Sequence, residues 1–355
     1  MNALRTAFTQ NVHYNTDQLF LIDQLISFLK EIQRKGCQTK NPLHNLICDF
    51  MVLYTPLPNK DHQQFIVFDK KLGAGTFGEV YDSGTFEKIP IITKSSLQFN
   101  DFNITEIFVN VVIINSLLMK HHWLQRYLVP TFGIFICSHT YRKTKSKKRL
   151  VSICTNKKEY PNIHLVQRKI DGKELYDFIH TTPITLSWVK KILKKIFKVL
   201  SFLETSEFNL HHCDLHSRNI MIENKTHYPY IIDFGYASFK VKDKEFYDNK
   251  YHGKRIKNAS YDIKNIISSF YKVSNSKISD WCKALLFKLF DKLWKSENTP
   301  FLKTDLKNFI YKNLYETLLY YESMLTDINE RERVHVHNMA ILDFNTYSSF
   351  KELME

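Results

Sequence analysis

Two polar clusters at a fixed spacing constrain this chain more than any other feature. His212-Cys213-Asp214-Leu215-His216-Ser217-Arg218-Asn219 is followed by Ile231-Ile232-Asp233-Phe234-Gly235, with Asp233 fourteen residues after Asn219. Seven specified positions at such spacing arise by chance about once in 10⁹ trials at average residue usage. A buried polar turn without chemistry is therefore a poor account of them. Asp214 is a carboxylate able to accept the proton of an attacking hydroxyl. Asn219 and Asp233 are hard oxygen donors of the kind Mg²⁺ takes, alongside water and phosphate oxygens.

Glycine is scarce, with nine in 355 residues, yet Gly73, Gly75 and Gly78 fall inside six. They lie in Leu72-Gly73-Ala74-Gly75-Thr76-Phe77-Gly78-Glu79-Val80, where Phe65 to Val80 reads as strand, glycine turn, strand. Glycines there let backbone N–H groups approach phosphates that side chains would block. The related dinucleotide fingerprint opens a helix, whereas Glu79-Val80-Tyr81 continues as strand. The next β-rich run, Glu87 to Lys94, ends on Lys94, twenty-one residues after Gly73. From there an ammonium reaches α- and β-phosphates if a carboxylate orients it. Glu106 is the candidate carboxylate, as the acidic residue of the helix expected over Thr105 to Leu118. Its competing role is the N3 glutamate of an Asn103-x-x-Glu106 capping box.

The remaining pattern is strand-rich first and helix-rich afterwards. Thr16 to Lys35 reads as an amphipathic helix capped by Thr16, with Leu19, Ile22, Leu25, Ile26, Leu29 and Ile32 on one face. Leu128 to Cys137 and His164 to Lys169 read as strands, separated by the basic run Arg142 to Arg149, a solvated hairpin loop. Thr185 to Glu204, Tyr261 to Tyr271, Asp280 to Lys295 and Thr304 to Met324 read as helices. The length exceeds what one core usually serves, so two lobes are expected. Six scattered cysteines without ligand spacing read as reduced thiols. The first residues lack the pattern of a signal peptide, and no apolar run is long enough to cross a bilayer, so an intracellular protein is expected. Fifty Lys and Arg against 36 Asp and Glu give a formal charge of +14. That field favours acidic proteins, ATP, nucleic acid or an anionic membrane, although an AT-rich genome would produce the same composition.

Taken in order, glycine hairpin, strand lysine, catalytic loop and Asp-Phe-Gly resemble a eukaryotic-type protein kinase across roughly residues 65–325. The resemblance implies an α+β, bilobal fold. Its parts would be an N-terminal helical extension (1–60), a β-rich N-lobe (61–170), a mostly helical C-lobe (171–325) and a tail (326–355). It implies ATP-dependent transfer of a γ-phosphoryl group to protein hydroxyls, with Ser/Thr the expected acceptor. Leu72, Gly73, Ala74, Gly75, Thr76, Phe77, Gly78, Val80 and Lys94 would line the nucleotide. Gln167 would stand at the back of the adenine pocket, with Arg168 to Ile170 offering backbone hydrogen bonds. Asp214, Lys94, Asn219, Asp233, Glu106 and His216 would be catalytic, and Asn219 and Asp233 would hold Mg²⁺, with Mn²⁺ the alternative. Asp262 matches the aspartate opening the family's central helix, which braces the catalytic loop. His216 replaces the usual lysine, a variant similar to haspin-like kinases, kinases of large DNA viruses, and aminoglycoside and choline kinases. The viral group is the nearest, placing the protein in host cytoplasm or virion, with the nucleus also open. Cys213 replaces the usual arginine, and no Ala-Pro-Glu lies between Gly235 and Asp262. A small-molecule kinase and a pseudokinase binding module are the alternative readings.

Overall fold

The computed structural model describes residues 14–35, 70–75, 78–86, 88–96, 101–137 and 162–246, together with 262, 266, 267, 269, 270, 278 and 282. The basic run 142–149 and the helix expected over 304–324 lie outside them. Helix α1 spans Thr16–Lys35 and buries Leu21, Ile22, Leu25, Ile26, Leu29 and Ile32, as the apolar period requires. Its cap is Asn15, one residue earlier than Thr16. The Asn15 Oδ1 accepts from the Gln18 N–H at 2.9 Å, and the Asn15 N–H donates to Gln18 Oε1 at 2.8 Å. Thr16 has Leu19 three residues on and cannot form this reciprocal box.

Five strands make one antiparallel sheet in the order β1-β2-β3-β5-β4. They are β1 (Lys70–Gly75), β2 (Gly78–Phe86), β3 (Ile89–Ser96), β4 (Thr131–Cys137) and β5 (Asn162–Arg168). Alternation along β3 sends Ile91, Thr93 and Ser95 to the buried face and leaves Ile92 and Lys94 on the other, partly exposed one. The buried hydroxyls are paired, Ser83 Oγ to Thr93 Oγ1 at 2.8 Å and Ser95 Oγ with His164 Nδ1 at 2.7 Å. Burial drives the His164 pKa down to about 3, so the ring is neutral.

Thr105 to Leu118 is helix, but it starts earlier than the sequence suggests. α2 (Asp101–Phe108) runs into a π-helical turn (Val109–Ile114) and then α3 (Asn115–Lys120). Asn103 therefore lies inside the helix and Glu106 is not its N3 residue, so the capping-box role falls away. α1 packs on α2 and on the π turn. β4 begins at Thr131 rather than Leu128. Leu128 instead forms an isolated bridge with Ile231, joining this region to the strand that leads to Asp233.

Beyond residue 170 come β6 (Gly172–Glu174), α4 (Leu175–Thr181), α5 (Leu186–Thr205), a 3-10 turn (Ser217–Asn219), β7 (Ile220–Glu223), β8 (Pro229–Ile231), β9 (Phe239–Val241) and β10 (Lys244–Phe246). Thr185 caps α5, its Oγ1 accepting from the Trp188 N–H at 3.2 Å. Helix α5 buries Ile192, Ile196, Leu200 and Leu203 and exposes Lys190, Lys191, Lys194 and Lys198. Of the helix expected at 261–271, the described residues Asp262, Ile266, Ile267, Ser269 and Phe270 are helical. The described residues form an α+β mixture of helices and antiparallel sheets. No described helix is long and apolar enough to cross a membrane.

One glycine is demanded by close approach. A Cβ on Gly172 would sit 2.2 Å from the Ile222 carbonyl oxygen, inside the β6–β7 pairing. Gly172→Ala is expected to destabilise the fold by about 1–3 kcal/mol, the usual cost of overpacking. A urea midpoint equal to wild type would show that the pairing relaxes freely.

Candidate active site

The β7–β8 hairpin sets the first two site residues beside each other. Ile220 pairs with Ile231, so the next rung places Asn219 opposite Ile232, and the Ile232 N–H donates to the Asn219 carbonyl at 3.0 Å. Asp233, one residue on, therefore shares that end of the hairpin with Asn219. The Ile231 N–H donates to the Tyr127 carbonyl at 2.8 Å and anchors the same strand from outside.

Two buried side chains shape the loop that carries Asp214. Asp262 accepts from the Cys213 N–H at 3.0 Å and from the Leu215 N–H at 2.9 Å, one oxygen each. This double grip spans Cys213, whose φ of 62° is left-handed and unfavourable for a residue with a Cβ. The His212 Nε2–H donates to the Ile232 carbonyl at 2.8 Å, and Nδ1 accepts from the Asp214 N–H at 3.3 Å. Both ring nitrogens are thereby used by a neutral imidazole, and burial holds the His212 pKa below its ordinary value. Its ring leans on Phe234, with centroids 4.8 Å apart. Asp262→Ala is expected to lower stability by about 2–6 kcal/mol, since two buried amides lose an acceptor at about 1–3 kcal/mol each. Asp262→Asn keeps one accepting oxygen and should fall between. Equal denaturation midpoints for wild type and Asp262→Ala would refute the brace.

The Asn219 Nδ2 donates to the Asp214 carbonyl at 2.9 Å, which orients the amide and leaves Oδ1 as its donor atom toward a cation. His216 caps the 3-10 turn, its Nδ1 accepting from the Arg218 N–H at 3.2 Å. Its Nε2 therefore carries the proton and stands 3.9 Å from Asp214 Oδ2. Burial lowers the His216 pKa, against the opposing charge of Asp214.

Lys94 joins the sheet to this loop. Its Nζ contacts Glu106 Oε1 at 2.5 Å and Asp233 Oδ1 at 3.0 Å. Burial alone would pull the lysine down, but Asp233 and Glu106 together hold it above its ordinary value, so it stays an ammonium. Burial pushes Glu106 up against the pull of Lys94. For Asp233, burial is outweighed by Lys94, and the carboxyl sits below the usual range. Two carboxylates around one ammonium leave a net charge of about −1 when both are ionised, a setting that suits a divalent cation held partly by phosphate oxygens.

The glycine hairpin lies next to Lys94, because Val80 pairs with Lys94 on β3 and with Gly73 on β1. Thr76 and Phe77 at its tip lie outside the described residues. A Cβ on Gly73 would meet nothing within 4 Å among the described residues, so packing against them does not require glycine there. Leu72 is 46% exposed beside it.

Gln167 lies near the end of β5, paired with Ile92 on β3 and with Thr131 on β4. Its Nε2 donates to Thr131 Oγ1 at 3.1 Å and to Asn110 Oδ1 at 3.3 Å, and the Asn110 Nδ2 donates to the Glu106 carbonyl at 2.9 Å. Asn110 is a member of this site that the sequence reading missed. The available signal was one polar residue interrupting the apolar run Ile107 to Ile114. The Arg168 N–H donates to the Pro130 carbonyl at 3.2 Å, and the Lys169 N–H to the Pro90 carbonyl at 2.8 Å. Neither proline has an N–H to return, so these ladder positions cannot claim the Arg168 and Lys169 carbonyls.

Lys94, Glu106 and Asp233 are thus in direct contact, Asn219 and Asp214 adjoin them through the hairpin and loop, and His216 faces Asp214. Gln167 connects to Glu106 through Asn110. No curated protein matches the chain at a significant level. Residues 139–256 match the family model for the protein kinase domain. That span contains Asp214, Asn219 and Asp233 but not the glycine hairpin, Lys94 or Glu106, which the fold brings to it. Over that span, about a third of the chain, the sequence is similar to the protein kinase domain.

Proposed function

We propose that the chain transfers the γ-phosphoryl group of ATP to hydroxyl groups of proteins, with serine and threonine the acceptors. The observation that carries this reading is Lys94 bridging Glu106, 12 residues on, and Asp233, 139 residues on, at 2.5 and 3.0 Å. Lys94 would bind the α- and β-phosphates, oriented by Glu106, beneath the backbone of Gly73 to Gly78. The Arg168 carbonyl and the Ile170 N–H would meet the adenine, with Gln167 behind it. Asn219 and Asp233 are the residues that would hold Mg²⁺ or Mn²⁺, whose charge when bound offsets that of the phosphate oxygens. Asp214 would receive the acceptor hydroxyl's proton, and the Nε2–H of His216 would steady that carboxylate. Positioning and charge then supply most of the acceleration.

Residues 61–170 and 171–325 would be the two lobes, with nucleotide between them, and 1–60 and 326–355 the flanking extensions. Asp-Leu-His-x-x-Asn with Tyr-Asp-Ile supports a position near haspin-like kinases and kinases of large DNA viruses, and an intracellular site of action. The charge of +14 supports acidic protein substrates, with nucleic acid a secondary partner. Cys213 offers no bidentate cationic grip for a phosphate, so activity should not need a phosphorylated activation segment.

The test is incubation of the full chain with γ-labelled ATP and Mg²⁺, beside Asp233→Ala, with acidic and basic test proteins. Label on serine or threonine of the acidic protein, absent with Asp233→Ala, is expected. Transfer to aminoglycosides or choline and not to protein would move the assignment to small-molecule kinases. No transfer beyond Asp233→Ala would leave a binding module.

A further inference from the structure

A column of stacked aromatic rings runs from α1 to the helix that bears Glu106. Phe20 on α1 stacks on Phe246 of β10, with centroids 5.7 Å apart and planes at 13°. Phe246 stacks on Phe239 of β9 at 5.3 Å and 19°, and Phe239 on Phe108 of α2 at 5.5 Å and 15°. The inner three rings are buried and Phe20 is partly so. At the outer end Lys244 Nζ lies 4.9 Å from the Phe20 ring centre and 3.4 Å from Asp17 Oδ1. Phe108 follows Glu106 by two residues, and Phe239 follows Asp233 by six. The β9–β10 hairpin is itself tied to the segment before Asp214 by an isolated bridge, the paired His211–Ser238 backbone bonds of 2.8 and 3.0 Å.

Both carboxylates that hold Lys94 therefore sit on short segments seated against one column. A tilt of α2 that withdrew Glu106 would separate Phe108 from Phe239. A displaced hairpin would uncover Phe239 and release the segment following Asp233. Phe20, more than eighty residues before Glu106 in sequence, closes the column.

We propose that α1 is a built-in positioning element for the Lys94–Glu106–Asp233 cluster. Through Phe20 it clamps the hairpin after Asp233 onto α2, so that packing supplies the ordering that a charged grip at Cys213 cannot. Its consequence for turnover rests on the phosphotransfer reading; its consequence for the order of α2 does not.

The test uses the full chain as wild type, Phe20→Ala, Phe20→Tyr and Ile32→Ala. Ile32 is buried on α1 twelve residues from Phe20, about 18 Å along the helix, so Ile32→Ala removes packing of α1 at a distance from the column. Hydrogen exchange is followed over 101–120 and 239–246, with kcat and KM for ATP measured per folded molecule. Phe20→Ala should speed exchange in both segments and lower kcat about tenfold or more, within the range that ångström-scale misplacement costs. Phe20→Tyr keeps a ring and should restore both, while Ile32→Ala should leave kcat unchanged. Exchange altered only within 16–35, or equal kcat for Phe20→Ala and wild type, would overturn the proposal. If wild type transfers no phosphate, the phosphotransfer reading fails on that result. Exchange over 101–120 then decides this proposal alone, and no change there in Phe20→Ala overturns it.

Discussion

Asp233→Ala is expected to remove phosphotransfer, leaving well under about a tenth of wild-type turnover, because divalent-metal charge stabilisation is worth several kcal/mol. Asp233 holds Lys94 at 3.0 Å and shares one end of a hairpin with Asn219. Lys94 keeps its carboxyl ionised, so the loss is that of a full negative charge. The fold should tolerate the change, since the side chain is 33% exposed and Lys94 retains Glu106. One complication is backbone conformation. Asp233 has φ of 64°, a left-handed geometry that alanine adopts less readily than asparagine or aspartate. Asp233→Asn keeps a side chain at home in that geometry while removing the charge, and should be nearly as inactive. Rates at saturating ATP, with circular dichroism to establish folding, check both variants. Activity above a tenth in either folded variant would sink the metal-holding role of Asp233.

For Asp214→Asn, turnover should fall by about 10²–10⁴, the range for a lost general acid–base group. The change removes a basic oxygen but not the loop, whose shape depends on the Asp214 carbonyl, the Asp214 N–H and Asp262, all of which persist. Nucleotide affinity should barely move, because the groups proposed for ATP belong to the sheet, its lysine and the strand ending at Arg168. Steady-state kinetics and the rise in melting temperature on adding ATP measure the two effects separately. A large loss of ATP affinity with intact turnover at saturation would move Asp214 into a binding role. His216 sharpens the comparison: with Nδ1 occupied by the Arg218 N–H, its Nε2–H is the donor near Asp214 Oδ2, and an asparagine amide offers a poorer acceptor.

Much of the local structure was legible in the residues. The apolar period of Thr16 to Lys35 marked α1, the glycine clump marked the β1–β2 hairpin, and Asn219 and Asp233 bracket β7 and β8 at the spacing their motif implies. Local chemistry is also where the reading slipped. Asn15 and Thr16 are both competent caps, and only the reciprocal partner Gln18 chooses between them. Asn103-x-x-Glu106 satisfied a capping pattern whose helix in fact begins at Asp101.

By itself, then, the sequence determined which reactive groups exist, their order, and the turns and strand ends that carry them, because these follow from side-chain chemistry and short-range periodicity. Tertiary structure decided which groups touch. Glu106 meets Lys94 because strand pairing and the early start of α2 bring them together, and Asn110 meets Gln167 because the π turn packs on β4, the neighbour of β5. The column from Phe20 to Phe108 joins four residues on α1, α2, β9 and β10, and no window of sequence contains it. Contacts between residues so far apart depend on register and packing of whole elements, which local pattern does not encode.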